Sequence, residues 1–145
     1  MRPLSRLLLF CLLPAAAWAA NTQISTEKPI VNFSLPLFNA ANYRTWLVRG
    51  SEARFAADDR IEIKELTLSI FSGNADEKVD TLILSPVAIV NRRDWIASGP
   101  STIRVISDQF EASGTQWTYA RKDKKVSIAK HVRVTFRAEF KDFLK

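Results

Sequence analysis

Arg60-Ile61-Glu62-Ile63-Lys64-Glu65-Leu66-Thr67-Leu68-Ser69-Ile70 decides the fold class. Ile61 and Ile63 share one face and charged residues take the other, the two-residue period of a half-buried strand rather than a helix. Leu66, Leu68 and Ile70 resume the alternation one residue out of phase. In an unbroken strand that slip would send the second apolar set to the opposite face, so a bulge or corner is expected at Lys64-Glu65.

The same period runs outward in both directions. Upstream, Trp46 and Val48 alternate with Leu47 and Arg49, and Gly50 punctuates. Pro29 to Phe38 alternates too, but Pro29 and Pro36 cannot donate to a central ladder, so it reads as an extended edge segment. Asn39 to Asn42 reads as a turn or a short helical turn. Downstream, Ser72-Gly73-Asn74-Ala75-Asp76 is a turn signal. Val79 to Val90 is a longer apolar run interrupted by Pro86, with Leu82, Leu84, Val87 and Ile89 expected inward. After turns at Asn91 to Asp94 and Ser98-Gly99-Pro100 come Ile103 to Ile106, Phe110 to Ala112, Trp117 to Tyr119, Val126 to Ile128 and Val132 to Phe136. Short strands at this spacing indicate a sandwich, barrel or roll. Four glycines in 145 residues favour corners made by bulges over two-residue hairpin turns. Only Ala138 to Leu144 reads as a helical turn.

The N-terminus carries Arg2 and Arg6, an apolar run from Leu7 to Leu13, the breaker Pro14, and Ala17-Trp18-Ala19. That is the order of a cleaved secretory signal. The apolar run is shorter than the roughly 20 residues a membrane helix needs. Cys11 follows the bulky Phe10, which argues against lipoprotein processing, and it leaves with the signal. The mature chain, Ala20 to Lys145, is then cysteine-free, so apolar burial and β hydrogen bonding must hold it together. Residues 1–19 are read as signal, 20–37 as an extended leader and 38–145 as one β domain. The expected compartment is the periplasm, with inner-membrane anchoring if the signal stays uncleaved.

The 21 Lys and Arg against 15 Asp and Glu give +6, which falls to +4 without the two signal arginines. In an exported protein a mild basic excess suits an anionic lipid or glycolipid better than nucleic acid. No chemistry of a catalytic kind stands out. His131 is the sole histidine and sits in a strand pattern. Asp58-Asp59 and Asp76-Glu77 fall in turn signals, where acids are usually solvated. No nucleophile elbow, Gly-rich phosphate loop or Cys/His cluster is present, so neither enzyme, cofactor nor metal is expected.

Several stretches form a recurring set: Tyr43-Arg44-Thr45-Trp46-Leu47-Val48-Arg49-Gly50-Ser51-Glu52-Ala53, Ile61 to Leu68, Leu82-Ile83-Leu84-Ser85-Pro86-Val87-Ala88, and Ser98-Gly99-Pro100 with Ile103-Arg104-Val105. Phe110 to Tyr119, Lys124 to Ile128 and Val132 to Phe136 complete it. From Arg44 to Phe136 the chain resembles the LptA/LptC (OstA-like) family of periplasmic lipopolysaccharide-transport proteins, closest to LptC. These motifs are rung patterns, not catalytic signatures. The resemblance implies an all-β OstA-like β-jellyroll, a twisted two-sheet antiparallel roll, here read as about ten short strands. It implies a carrier that shields lipid A acyl chains in an apolar groove. It also implies joining a transport bridge by edge-to-edge pairing with another β-jellyroll protein, served by an inner-membrane ABC transporter complex.

The alternation nominates Ile61, Ile63, Leu66, Leu68, Leu82, Leu84, Ile103, Val105, Phe110, Trp117, Val126, Ile128, Val134 and Phe136 as the groove lining, with Ile70 and Val132 also inward. Arg49, Arg54, Arg92, Arg93 and Arg104, with the cluster from Arg121 to Lys125, are the cations available to lipid phosphates. The residues alone leave two alternatives open. The apolar set could be a closed core in a structural scaffold, or Trp46, Trp95, Trp117 and Tyr119 could stack on envelope carbohydrate.

Overall fold

The computed structural model describes residues 28–56 and 58–137. The expected signal and all but the end of the expected polar leader lie outside the described residues, as does the expected helical turn at 138–144. The described residues form seven antiparallel strands in one open sheet: β1 (Ile30–Phe38), β2 (Arg44–Phe55), β3 (Arg60–Phe71), β4 (Val79–Asn91), β5 (Ile96–Ser107), β6 (Phe110–Ala120) and β7 (Lys125–Phe136). Each strand pairs with the next in chain order, leaving β1 and β7 as the edges. No helix among the described residues is long and apolar enough to cross a membrane.

The expected ten short strands are seven long ones. The punctuating residues sit inside strands rather than between them: Phe110 to Ala112 and Trp117 to Tyr119 both belong to β6. Residues 30–37 of the segment assigned to the leader belong to β1, the edge strand its prolines suggested, with Phe33 opposite Gly50 and Pro36 opposite Leu47.

The corner expected at Lys64-Glu65 is present: Glu65 has φ 52°, in the left-handed region. Its neighbours are interrupted at matching positions. The ladders skip Asn32 against Ser51, Glu65 against Pro86, Pro100-Ser101 against Gln116, and Gly114 against His131-Val132. Asn32, Gln116 and His131 also have positive φ. One line of corners therefore crosses the sheet, and the out-of-phase apolar sets on either side of it stay on one face.

Side chains from opposite sides of that line meet. Trp46 packs on Tyr119 with ring centroids 5.3 Å apart, and Phe33 meets Phe55 edge-on at 5.9 Å. Close approach is also needed along the line itself. A Cβ on Gly99 would fall 2.7 Å from the Val87 carbonyl oxygen and 2.8 Å from Trp117 Nε1. Gly50 and Gly114 are equally crowded, against Ile63 and Ile128. The resulting core centres on Trp46, Val48, Ile61, Ile63, Leu66, Leu68, Ile83, Val90, Ile103 and Trp117.

Candidate functional site

The interior is sealed in the middle and open along β7. Ile61, Ile63, Leu66, Leu68, Ile103 and Trp117, all nominated for a groove, are at most 2% exposed and form closed core. β7 differs. Its alternate residues face the same interior, but among the described residues nothing covers Val132, 54% exposed, or Val134, 45% exposed. The space beside them is a groove of about 800 Å³. Val105, Phe110, Val126, Ile128 and Val134 line it, as do Ile70 and Val132. Phe136 stands outside at the end of β7, paired opposite Phe110 and 64% exposed. The volume lies in the range of small-molecule sites, about 300–1,000 Å³.

β4 corrects the expected phase. Leu82 and Leu84 are only half-buried, Ile89 is half-buried and Val87 is exposed, while Ile83, Ser85, Ala88 and Val90 face inward. The reason is register. Leu68 pairs with Ile83, Ile63 with Ala88 and Ile61 with Val90. Directly opposed residues share a face, so the inward face of β3 dictates that of β4. Within Leu82-Ile83-Leu84 all three residues are apolar, and alternation alone carries no phase.

Ser85 is the one buried polar side chain among the described residues. Its hydroxyl lies 2.8 Å from the Thr102 carbonyl oxygen and 3.1 Å from that of Val87, and it accepts the Trp117 indole N–H at 3.2 Å. It thereby ties β4, β5 and β6 where the β4–β5 ladder is interrupted.

Beside the groove lies a smaller recess of about 300 Å³. The two share Ile70, Phe71, Tyr119 and Lys124. The recess adds Asn39, Thr45, Ser72 and Arg121 to its walls, and no carboxylate lines it. Arg121 donates to Thr45 Oγ1 at 3.0 Å and lies over the Trp95 ring at 6.0 Å. A backbone bond from Lys124 N to the Arg121 carbonyl closes the β6–β7 turn that presents both cations. Burial pushes the Tyr119 phenol pKa up, against the opposing pull of Trp46 and Arg121.

No family model matches the chain, and no curated protein matches it. The reading of the site therefore rests on its own geometry.

The other nominated cations stand apart from the groove. Arg49 and Arg54 are exposed on β2. Arg104 is held by Glu111 through two bonds of 2.9 and 2.6 Å, and this pairing holds the Glu111 carboxyl below its usual range. The paired acids are similarly engaged. Asp58 bonds Arg60 at 2.6 Å, which lowers its pKa, and Asp59 binds Arg92 and Arg93. Asp76 accepts from Ser72 at 2.6 Å, and Glu77 lies 3.8 Å from Arg44.

His131 is exposed at the corner line, with Nδ1 3.2 Å from Thr115 Oγ1. Among the described residues no three His, Cys, Asp or Glu side chains gather in a metal-holding group. Trp95 does not present a flat stacking platform: it meets Trp46 edge-on at 6.4 Å beneath Arg121.

Proposed function

We propose that the protein is an exported lipopolysaccharide-binding protein of the LptC/LptA kind, which shelters lipid A acyl chains in the groove along β7. The observation that carries this reading is an 800 Å³ apolar trough left open on a sheet whose middle is otherwise closed. Each methylene moved out of water contributes about 0.8 kcal/mol, so even part of one acyl chain offsets the ordering of a few side chains. The line of corners is what a two-sheet roll of the jellyroll type requires, since each strand then serves both walls. The edges β1 and β7, unpaired among the described residues, suit end-to-end strand pairing with another roll and, through it, a bridge from an inner-membrane transporter. The signal-like N-terminus supports a periplasmic location.

A direct test is displacement of a fluorescent fatty acid from the purified protein by lipopolysaccharide. Displacement is expected, and Ile128→Asp, which puts a carboxylate into the trough, should abolish it. Failure of lipopolysaccharide to displace the probe from the unaltered protein would refute the reading. The closed centre favours a second reading, a structural scaffold that acts through its sheet edges alone; in that case no lipid binds.

A further inference from the structure

The groove and the recess differ in chemistry but share Ile70, Phe71, Tyr119 and Lys124 as walls. Valines, Ile128 and Phe110 dominate the groove. The recess adds to Trp46, Ile70 and Phe71 the polar groups of Asn39, Thr45, Ser72, Tyr119, Arg121 and Lys124. Lys124 belongs to both, so it stands at their junction. Arg121 spends one nitrogen on Thr45. Lys124 makes no ion pair among the described residues, and no carboxylate lines the recess to neutralise either cation. Asp80 and Asp123 touch the apolar groove instead. A neutral or cationic ligand would gain nothing from such a recess, whereas an anion beside an apolar tail matches both compartments.

We propose that the site holds its amphiphile in one direction, with an anionic phosphate head in the recess between Arg121 and Lys124 and the acyl tail laid along β7 past Val126 and Ile128. This rests on the acyl-binding reading above and assigns the polarity of the bound lipid. Ordinary solvated cations on a turn would do neither, because they would not share walls with the trough.

Two lipids with the same myristoyl tail separate head from tail: myristoyl lysophosphatidate and monomyristoylglycerol, each below its critical micelle concentration, titrated against the full chain by displacement of a fluorescent fatty acid. A charge-assisted hydrogen bond is worth roughly tenfold or more in affinity, so lysophosphatidate should bind at least about tenfold more tightly than the glyceride. In Arg121→Gln/Lys124→Gln this preference should collapse to within about twofold. Lys124→Gln alone, at an exposed position, should give a partial loss if the double variant misfolds. An undiminished preference in both variants, or no preference in the unaltered protein, would overturn the orientation while leaving acyl binding intact. Failure of both lipids to bind would overturn acyl binding and the orientation together. Inorganic phosphate alone should not displace the probe at concentrations where lysophosphatidate does; equal potency would make the recess a free-anion site and defeat the proposal.

Discussion

Trp117 and Ser85, 32 residues apart, are joined by a hydrogen bond of 3.2 Å from the indole N–H to the serine hydroxyl. The bond spans the interruption where β4 and β5 part, and it gives a buried ring nitrogen its partner. Ser85→Ala strips that partner from Trp117 and from the Thr102 carbonyl at once. The expected cost is about 1–3 kcal/mol, the usual penalty for leaving a buried polar group unsatisfied. Urea unfolding followed by tryptophan fluorescence measures it; a loss below 0.5 kcal/mol would mean that water replaces the serine.

Gly99 makes a sharper case for the corner line. An added methyl would lie under 3 Å from the Val87 carbonyl oxygen and from the Trp117 ring, both fixed by the same junction. Neither neighbour is the far end of a flexible side chain. Gly99→Ala should destabilise by about 1–3 kcal/mol, as overpacking does. A melting temperature unchanged from that of the unaltered protein would show that the two strands do not approach so closely.

Core and groove should respond differently to truncation. Leu68 is fully buried, and Leu68→Ala should cost about 2–5 kcal/mol. Val134 is nearly half exposed, and Val134→Ala should cost under about 1 kcal/mol. Chemical denaturation of both variants checks the contrast. Equal losses would mean that β7 is covered in solution.

Acid sensitivity has a definite sign at Glu111. Arg104 holds its folded-state pKa below the ordinary 4.5, so below that pH the unfolded chain binds more protons than the folded one. The pair's contribution is therefore present above pH 4.5 and lost as pH falls through the folded value. Carbon-detected NMR titration should place Glu111 below 4.5, and Arg104→Gln should move it back up. A normal titration in the unaltered protein would contradict the pairing.

Much of the fold was legible in the sequence, because period-two alternation follows from strand geometry. The Lys64-Glu65 slip located a corner, and Pro29 and Pro36 marked an edge strand. The sequence did not show that the corners of all seven strands fall on one line. Register determines that, and register depends on pairing between strands. The same dependence hid the phase of β4, where Leu82-Ile83-Leu84 offers no polar residue to break the tie. Ser85 was the available signal: a small polar residue beside Pro86, at the point where the ladder parts.

For the site, alternation outside β4 picked apolar residues of the inward face but could not separate Ile63, sealed at the centre, from Val126, at the open margin. Burial depends on what lies across the interior, and β7 is the edge of the sheet among the described residues. Arg121 and Lys124 were visible as members of a basic cluster. Their position beside Thr45, 76 residues from Arg121, is a product of the folded sheet. Arg104 looked equally available until Glu111 proved to occupy it.

The central claim, an acyl chain lying along β7, is tested most directly by site-specific photocrosslinking in envelopes that contain lipopolysaccharide. A benzophenone amino acid replacing Ile128, inside the trough, should yield a lipopolysaccharide adduct. The same group replacing Ser127, the exposed neighbour on the opposite face, should yield none. Adducts at both positions, or at neither, would contradict the account.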